Sequence, residues 1–356
     1  MASNAEAQKA ITAMLALHSA YLYRANTKAA NELIGVFNKQ TKAMVASLAE
    51  QLDDLTEIER KALAGGLYDT PRLKQIKKDI DSWSAELTTA LTDGFTASAI
   101  ALAGHEVNYT TESVNKALDH DKTVKLTPEK VYKQARRQPI TGGALLDEVF
   151  INIADGAKDK TWNVIRQGVT DGQSNSQIIK ALRGSPDFNY EDSLLQSSRR
   201  DIETMVRTSR NHISNVAYNE TYAALGVDEV VFVATLDGRT SKTCASYDGA
   251  RYKVGDPHPI PPMHPNCRSV LAPVFDKDLI GNRPAIGSNG VTQVNANTTY
   301  ASWFKNQSAE FQKEWLGASK YKLYKQGSYS LDRFIDPIKG ELSLNELRLR
   351  DQRTFK

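Results

Sequence analysis

Cysteine is nearly absent: the 356 residues hold Cys244 and Cys267 and no other. That excludes a secreted scaffold stapled by several disulfides and predicts folding in a reducing compartment. Long apolar runs are missing as well. No stretch approaches the roughly 20 residues needed to cross a bilayer, and the N-terminal helical pattern is broken by Lys9, His18, Arg24 and Lys28. The opening Met1-Ala2-Ser3-Asn4 has no basic stretch leading into an apolar core, so no secretory signal is expected. Net charge is small. At +3 it does not demand a nucleic-acid partner, and local clustering counts for more than the total. With 24% charged and 40% hydrophobic residues, the chain is neither a disordered nor a membrane composition. Its length allows a real core and about two domains, or three.

What is present is helical periodicity. From Glu6 to Leu55 there is no proline and one glycine, and Ile11, Leu15, Leu22, Ala29, Leu33, Val36 and Phe37 recur at roughly helical spacing. Thr56 with Glu59 forms a capping-box pattern, and Gly65-Gly66 stops the short helix that follows. Thr70-Pro71 is a helix start. Behind it Leu73, Ile76, Ile80, Trp83, Leu87, Leu91, Phe95, Ala99 and Leu102 make one continuous apolar stripe. Residues 1–118 therefore read as a helical bundle or arm.

In 119–143 Lys122, Lys125, Lys130, Lys133, Arg136 and Arg137 outnumber Asp121 and Glu129. This is a connector with a basic face, in which Thr127-Pro128 can start a short helix. Charge runs are usually solvated surface; the functional alternative is contact of Lys130, Lys133, Arg136 and Arg137 with DNA or a partner. Residues 144–277 then combine helices with a small sheet. The pattern predicts a helix over Val149–Gln167 and one opened by Ser174, with Gln177 in capping-box position and Gly184 as stop. That second element has the form of a turn-helix DNA reader, a form any capped short helix shares. A long helix over Arg199–Leu225 carries Arg199, Arg200, Arg207 and Arg210, and its His212 reads as packed rather than ligating. Three strands follow: Glu229–Thr235, Ala250–Val254 and Ser269–Phe275, with Asp248-Gly249 as a turn. They predict a small antiparallel sheet on the preceding helix. Gly and Asn crowd 278–297, which reads as a linker. Residues 298–356 return to short helices capped by Thr298 or Thr299, Ser308 and Ser343, with Tyr300, Trp303, Phe304, Phe311, Trp315, Tyr321, Tyr324 and Phe334 as core anchors. The fold class is α+β, mostly helical.

The segment with most chemistry runs from Ala234-Thr235-Leu236-Asp237-Gly238-Arg239-Thr240 through Cys244 and Asp248-Gly249 to Pro261-Pro262-Met263-His264-Pro265-Asn266-Cys267-Arg268. Its prolines make a stiff strap that brings Cys244, His264 and Cys267 within reach of one another. Three readings stand for this trio. It could hold structural zinc, with His258, Asp237 or water as fourth ligand; it could form a Cys244–Cys267 disulfide; or it could be two buried thiols beside a hydrogen-bonded histidine. A metal-dependent hydrolase or nuclease using the loop, or a nucleophilic cysteine with His264 as base, is the enzymatic alternative, but no third orienting group or oxyanion site is legible. Asp237 with Arg239, and Asp248 with Arg268, are expected to be ion pairs tying the loop to the sheet.

The strand ending in Ala-Thr-Leu-Asp-Gly-Arg-Thr, the cysteine after it, the Asp-Gly turn and Pro-Pro-x-His-Pro-Asn-Cys-Arg together resemble the phage Mu F-like family of minor head, or head morphogenesis, proteins. The likeness extends to Thr208, Arg210, Asn211, Asn215 and Tyr218-Asn219 in the preceding helix. It is specific over about 200–275, looser over Tyr300–Leu347, and does not reach 1–118, so 144–277 becomes the Mu F-like domain. Many members have a second cysteine soon after the first and another after the Cys-Arg; here Tyr247 and Ser269 stand in those places. The resemblance implies a low-copy virion component at the head interior or portal vertex, assembled in the host cytoplasm. The partners it implies are the portal protein, the major capsid or scaffolding protein, and packaged double-stranded DNA. It implies no catalytic turnover.

Overall fold

The computed structural model describes residues 3–185, 191–193, 195–327, 329–336 and 340–352. It is 64% helical with small sheets, as the helical periodicity and short β-branched runs require. Three long helices carry the architecture: α1 (Asn4–Asp53), α3 (Pro71–Leu118) and α7 (Gln196–Leu225). The chain divides by contact into two compact units. One comprises Met1–Tyr23, Ala101–Ala135 and Arg210–Lys356; the other comprises Arg24–Ile100 and Arg136–Ser209. This division is assembled from separated stretches, unlike the contiguous segments read along the sequence.

Among its described residues, the unit of Arg24–Ile100 and Arg136–Ser209 is built of helices and their connections, with no strand. It contains α2 (Glu57–Ala64), α5 (Leu146–Thr170) and α6 (Asn175–Arg183) with parts of α1, α3 and α7. The capping boxes at Thr56/Glu59 and Ser174/Gln177 are both formed, each satisfying amides that a helix start leaves free. Every residue of the Leu73–Leu102 stripe is buried. Gly168 shows how closely α5 and α6 approach: a Cβ there would lie 2.5 Å from Cγ1 of Ile178.

The other unit holds the sheets. Strands β1 (Glu229–Val233), β3 (Arg251–Lys253) and β4 (Val270–Val274) form an antiparallel sheet in the order β3-β1-β4, with Val231 opposite both Arg251 and Ala272. All three strands fall where β-branched runs predict them. The start of α1 holds the sheet through Gln8, whose Oε1 accepts from Phe275 N–H (2.8 Å) and whose Nε2 donates to the Pro273 carbonyl (3.4 Å). Lys122 donates to the last carbonyl of α7, that of Leu225, at 2.7 Å, a cation at the negative end of the helix.

The expected linker at 278–297 is instead a β-hairpin. Strand β5 (Asn282–Gly287) pairs antiparallel with β6 (Gly290–Asn295), and β5 also runs parallel to the short β2 (Leu236–Asp237). The hairpin exists because Arg283 and Ala285 alternate inward along β5, a signal that glycine and asparagine obscure in the sequence. The C-terminal region forms α9 (Tyr300–Lys305), α10 (Ala309–Leu316), α11 (Ala318–Lys325), a 3-10 turn (Leu331–Phe334) and α12 (Leu344–Arg350). Thr299, not Thr298, caps α9, and Ser308 and Ser343 cap α10 and α12 as predicted. Their aromatic residues make one core: Tyr300, Trp303, Phe304, Trp315 and Phe334 are buried, and Phe311, Tyr321 and Tyr324 pack against them.

Candidate functional site

The strap and its cysteines are placed by short-range chemistry. Ser241 caps α8 (Lys242–Tyr247) by accepting from the Cys244 amide (3.2 Å), which turns Cys244 into the interior. This helix has only six residues and was not expected from the sequence. Asp248-Gly249 reverses the chain into β3. Gly249 has φ +86, a conformation side chains rarely adopt, and a Cβ on it would meet Thr299 Cγ2 at 2.8 Å. At the far end, His264-Pro265-Asn266-Cys267 closes as a turn: the Cys267 amide donates to the His264 carbonyl at 3.1 Å, with Asn266 at φ 57. Proline then aspartyl-type residue with positive φ is the chemistry of a type II turn. It sets His264 and Cys267 side by side, three residues apart.

Helix α7 clamps this turn. Asn211 Nδ2 donates to the Cys267 carbonyl (2.9 Å), and Asn215 Oδ1 accepts from Leu271 N–H (3.3 Å) in β4. Asn215 Nδ2 in turn donates to Asn211 Oδ1 (3.0 Å). The two asparagines, one helical turn apart, thereby satisfy backbone groups where the strap enters the sheet. Neighbouring Tyr218 donates to the buried carboxylate of Glu106.

Both expected ion pairs exist with other partners. Asp237 is gripped in two-pronged fashion by Arg268, at 2.7 and 2.8 Å, not by the Arg239 side chain. Arg239 is exposed and contributes only its backbone N–H to Asp237 Oδ1, at 3.0 Å. Asp248, expected to meet Arg268, pairs with Arg283 (3.1 Å). Arg283 reaches it from the hairpin read as linker, which is why the sequence offered no hint of it. Asp248 also accepts from the amides of Ala234 (2.7 Å) and Tyr300 (2.6 Å), so one carboxylate joins the end of β1, the hairpin and the start of α9. Burial opposes charge on Asp237, yet the Arg268 guanidinium and the Arg239 amide leave its pKa below the ordinary aspartate value. On Asp248 the burial effect is the larger, and its pKa is raised.

Cys244 and Cys267 are free buried thiols with their sulfurs 3.6 Å apart. One ligand nitrogen of His264 and the two sulfurs lie within 4.8 Å of one another. The Cys244 S–H beside it, together with His264, holds the Cys267 thiol well below its usual pKa, while Cys244 is pushed up. The other donors considered as a fourth ligand, Asp237 and His258, are not in this cluster of ligand atoms. Asp237 is held by Arg268, and His258 stacks on Tyr252 (5.3 Å) with Nδ1 against the Asp256 carbonyl (2.7 Å).

A second cluster escaped the sequence reading. Glu106, fully buried, accepts from His18 Nε2 (2.8 Å), His105 Nδ1 (3.0 Å) and the Tyr218 hydroxyl. His18 stacks on Tyr109 with ring centroids 3.8 Å apart. Apart from adjacent His105 and Glu106, its members lie far apart in sequence, so no spacing motif joins them. His212 is packed as predicted, hydrogen-bonded to the Ala135 carbonyl at 3.0 Å.

The candidate DNA contacts Lys130, Lys133, Arg136 and Arg137 are all exposed. Lys130 and Lys133 lie on α4 (Pro128–Arg136). Arg136 is bound by the Asp147 carboxylate through two nitrogens, at 2.7 and 2.6 Å. Three of the four basic residues named on α7 are also engaged or buried, while Arg200 is exposed. Arg199 donates to Asn38 (2.7 Å), Arg207 pairs with Glu203 (2.9 Å), and Arg210 is buried.

A mostly helical α+β chain whose motif residues tie a strap to a small sheet is, first, a protein built around an internally braced module. Residues 159–272 match the family described as Phage Mu protein F like protein, which supports a Mu F-like phage protein related to the phage head. The matched segment begins ahead of the 200–275 stretch over which the likeness is most evident, takes in the strap and its helix, and stops before Tyr300–Leu347. No curated protein and no solved structure matches the chain.

Proposed function

We propose that this protein is a minor head protein of a tailed bacteriophage, built into the virion near the portal and acting in head assembly, DNA packaging or DNA ejection without catalytic turnover. One observation carries this reading. Within the family-matched segment, four distinctive polar residues are spent on bracing the protein itself: Asp237 on Arg268, Asp248 on Arg283 and two amides, Asn211 and Asn215 on the strap and β4. That is the use expected of a building block, and the thiol that lies beside a histidine, that of Cys267, is buried rather than open to a substrate. The partners we propose are the portal protein and the major capsid or scaffolding protein.

The test is the composition of particles. Mass spectrometry of purified virions should find the chain at low copy number relative to the major capsid protein, and a map of the portal vertex should contain it. Full heads that form and infect normally with the polypeptide absent from the particle would reject the proposal.

A further inference from the structure

We propose that Cys244, His264 and Cys267 bind one zinc ion, with water in the fourth position. The sulfurs stand 3.6 Å apart, far beyond the bonded S–S distance of about 2.05 Å. Tetrahedral zinc with metal–sulfur bonds of about 2.3 Å separates two ligand sulfurs by about 3.8 Å. The pair is thus already spaced as one edge of a zinc tetrahedron. The imidazole supplies the third corner, since all three ligand atoms lie within 4.8 Å of one another.

The supporting contacts fix the ligands as metal sites require. His264 Nδ1 lies 2.8 Å from the Pro265 carbonyl. Donation of an Nδ1 proton there leaves the lone pair on Nε2 and orients the ring, the outer contact that metal-binding histidines habitually make. Cys267 is held by the turn hydrogen bond to His264 and by Asn211 on its carbonyl. Cys244 is held by the Ser241 cap. The donors come from two sequence neighbourhoods joined only by the fold: a His-x-x-Cys turn and a cysteine on a short helix. Two thiols and an imidazole suit zinc rather than magnesium or calcium, which prefer oxygen. Among the described residues neither Asp237, held by Arg268, nor His258 belongs to the cluster of ligand atoms, so a water is assigned the fourth position. Zinc here would pin the strap to α8, close to the point where α7 already holds it.

The full chain, expressed in zinc-supplemented medium and exchanged into metal-free buffer, is analysed by native mass spectrometry and elemental analysis. One zinc per chain is expected. Iodoacetamide should alkylate Cys244 and Cys267 slowly until a chelator is added. Cobalt(II) in place of zinc should give thiolate-to-metal charge-transfer absorption. Cys267→Ser should lose the metal, but that residue is buried and the variant can fail to fold. His264→Ala, at a half-exposed position, separates the two effects: it should stay folded by circular dichroism and bind zinc at least tenfold more weakly. Folded parent protein with both thiols free and no zinc, or an intact mass lighter by two hydrogens from a Cys244–Cys267 disulfide, would overturn the proposal. So would a His264→Ala variant with unchanged affinity and unchanged cobalt spectrum.

Discussion

The Asp248 carboxylate has no exposed surface and accepts from two backbone amides and both guanidinium nitrogens of Arg283. Removing one partner of such a pair leaves a buried charge with too few donors. Arg283→Met should therefore cost about 3–5 kcal/mol, read as a shift in the urea midpoint; a loss under about 1 kcal/mol would show that solvent reaches Asp248 once the arginine is gone. The sequence made the need for ion pairs legible but not their partners. An aspartate at a strand end needs donors wherever the chain runs, while the donor's identity depends on folding across 31 residues for Asp237 and 35 for Asp248. A second residue-scale expectation concerns acid. Glu59 accepts from the Thr56 amide first and also from Thr70 and Arg72, which lower its pKa to about 2. The folded value lies below the unfolded one, so its contribution is complete above about pH 4.3 and is lost as pH falls toward 2. Asp237, also lowered, adds loss of the same sign. Melting temperatures measured from pH 7 to pH 2 should fall more steeply for the parent than for Glu59→Gln in that window. Parallel curves would remove Glu59 from the account.

Elements were legible where their signals are local. Capping boxes at Thr56, Ser174 and Ser343 marked helix starts because the cap and its amide partner lie three residues apart. The β-branched run Glu229–Val233 marked a central strand because both its faces are covered. The β5–β6 hairpin was not legible, since five of the six β6 residues are exposed and its inward residues are an arginine and an alanine. Its place is decided by tertiary contacts: Arg283 with Asp248 and Thr298, and Gln307 with Ser288. The hairpin and C-terminal helices are in this sense one construction with the motif segment. Tyr300 donates to the Asp237 carbonyl (3.0 Å) and Trp315 to that of Thr240 (2.9 Å). Phe304 lies fully buried among Tyr300, Phe311, Trp315 and Tyr324. Phe304→Ala should cost about 3–5 kcal/mol by emptying that cluster. It should also raise amide exchange in β5 and around Asp248, whereas a purely local C-terminal role would leave exchange there unchanged.

At the scale of the whole molecule, the formal charge of +3 says little about DNA, and the placement of the cations says more. Part of the basic character of α7 is engaged internally: Arg207 pairs with Glu203, Arg199 donates to the neutral amides of Asn38 and Gln196, and Arg210 is buried, while Arg200 is exposed. Lys122 is spent on the end of α7, and Arg136 on Asp147. Of the four basic residues singled out near α4, Lys130, Lys133 and Arg137 remain as exposed cations to meet phosphate. Each phosphate neutralised releases counterions, so the logarithm of the affinity should fall with the logarithm of salt at about −0.9 per contact. Three contacts give a slope no steeper than about −2.7, and binding that is weak at physiological ionic strength. Lys130→Glu with Lys133→Glu should flatten that slope by about 2, measured by titrating double-stranded DNA over a range of salt. A slope much steeper than the patch can supply, or one that the double variant leaves unchanged, would mean that another surface binds the DNA. Binding insensitive to salt would remove phosphate contact altogether.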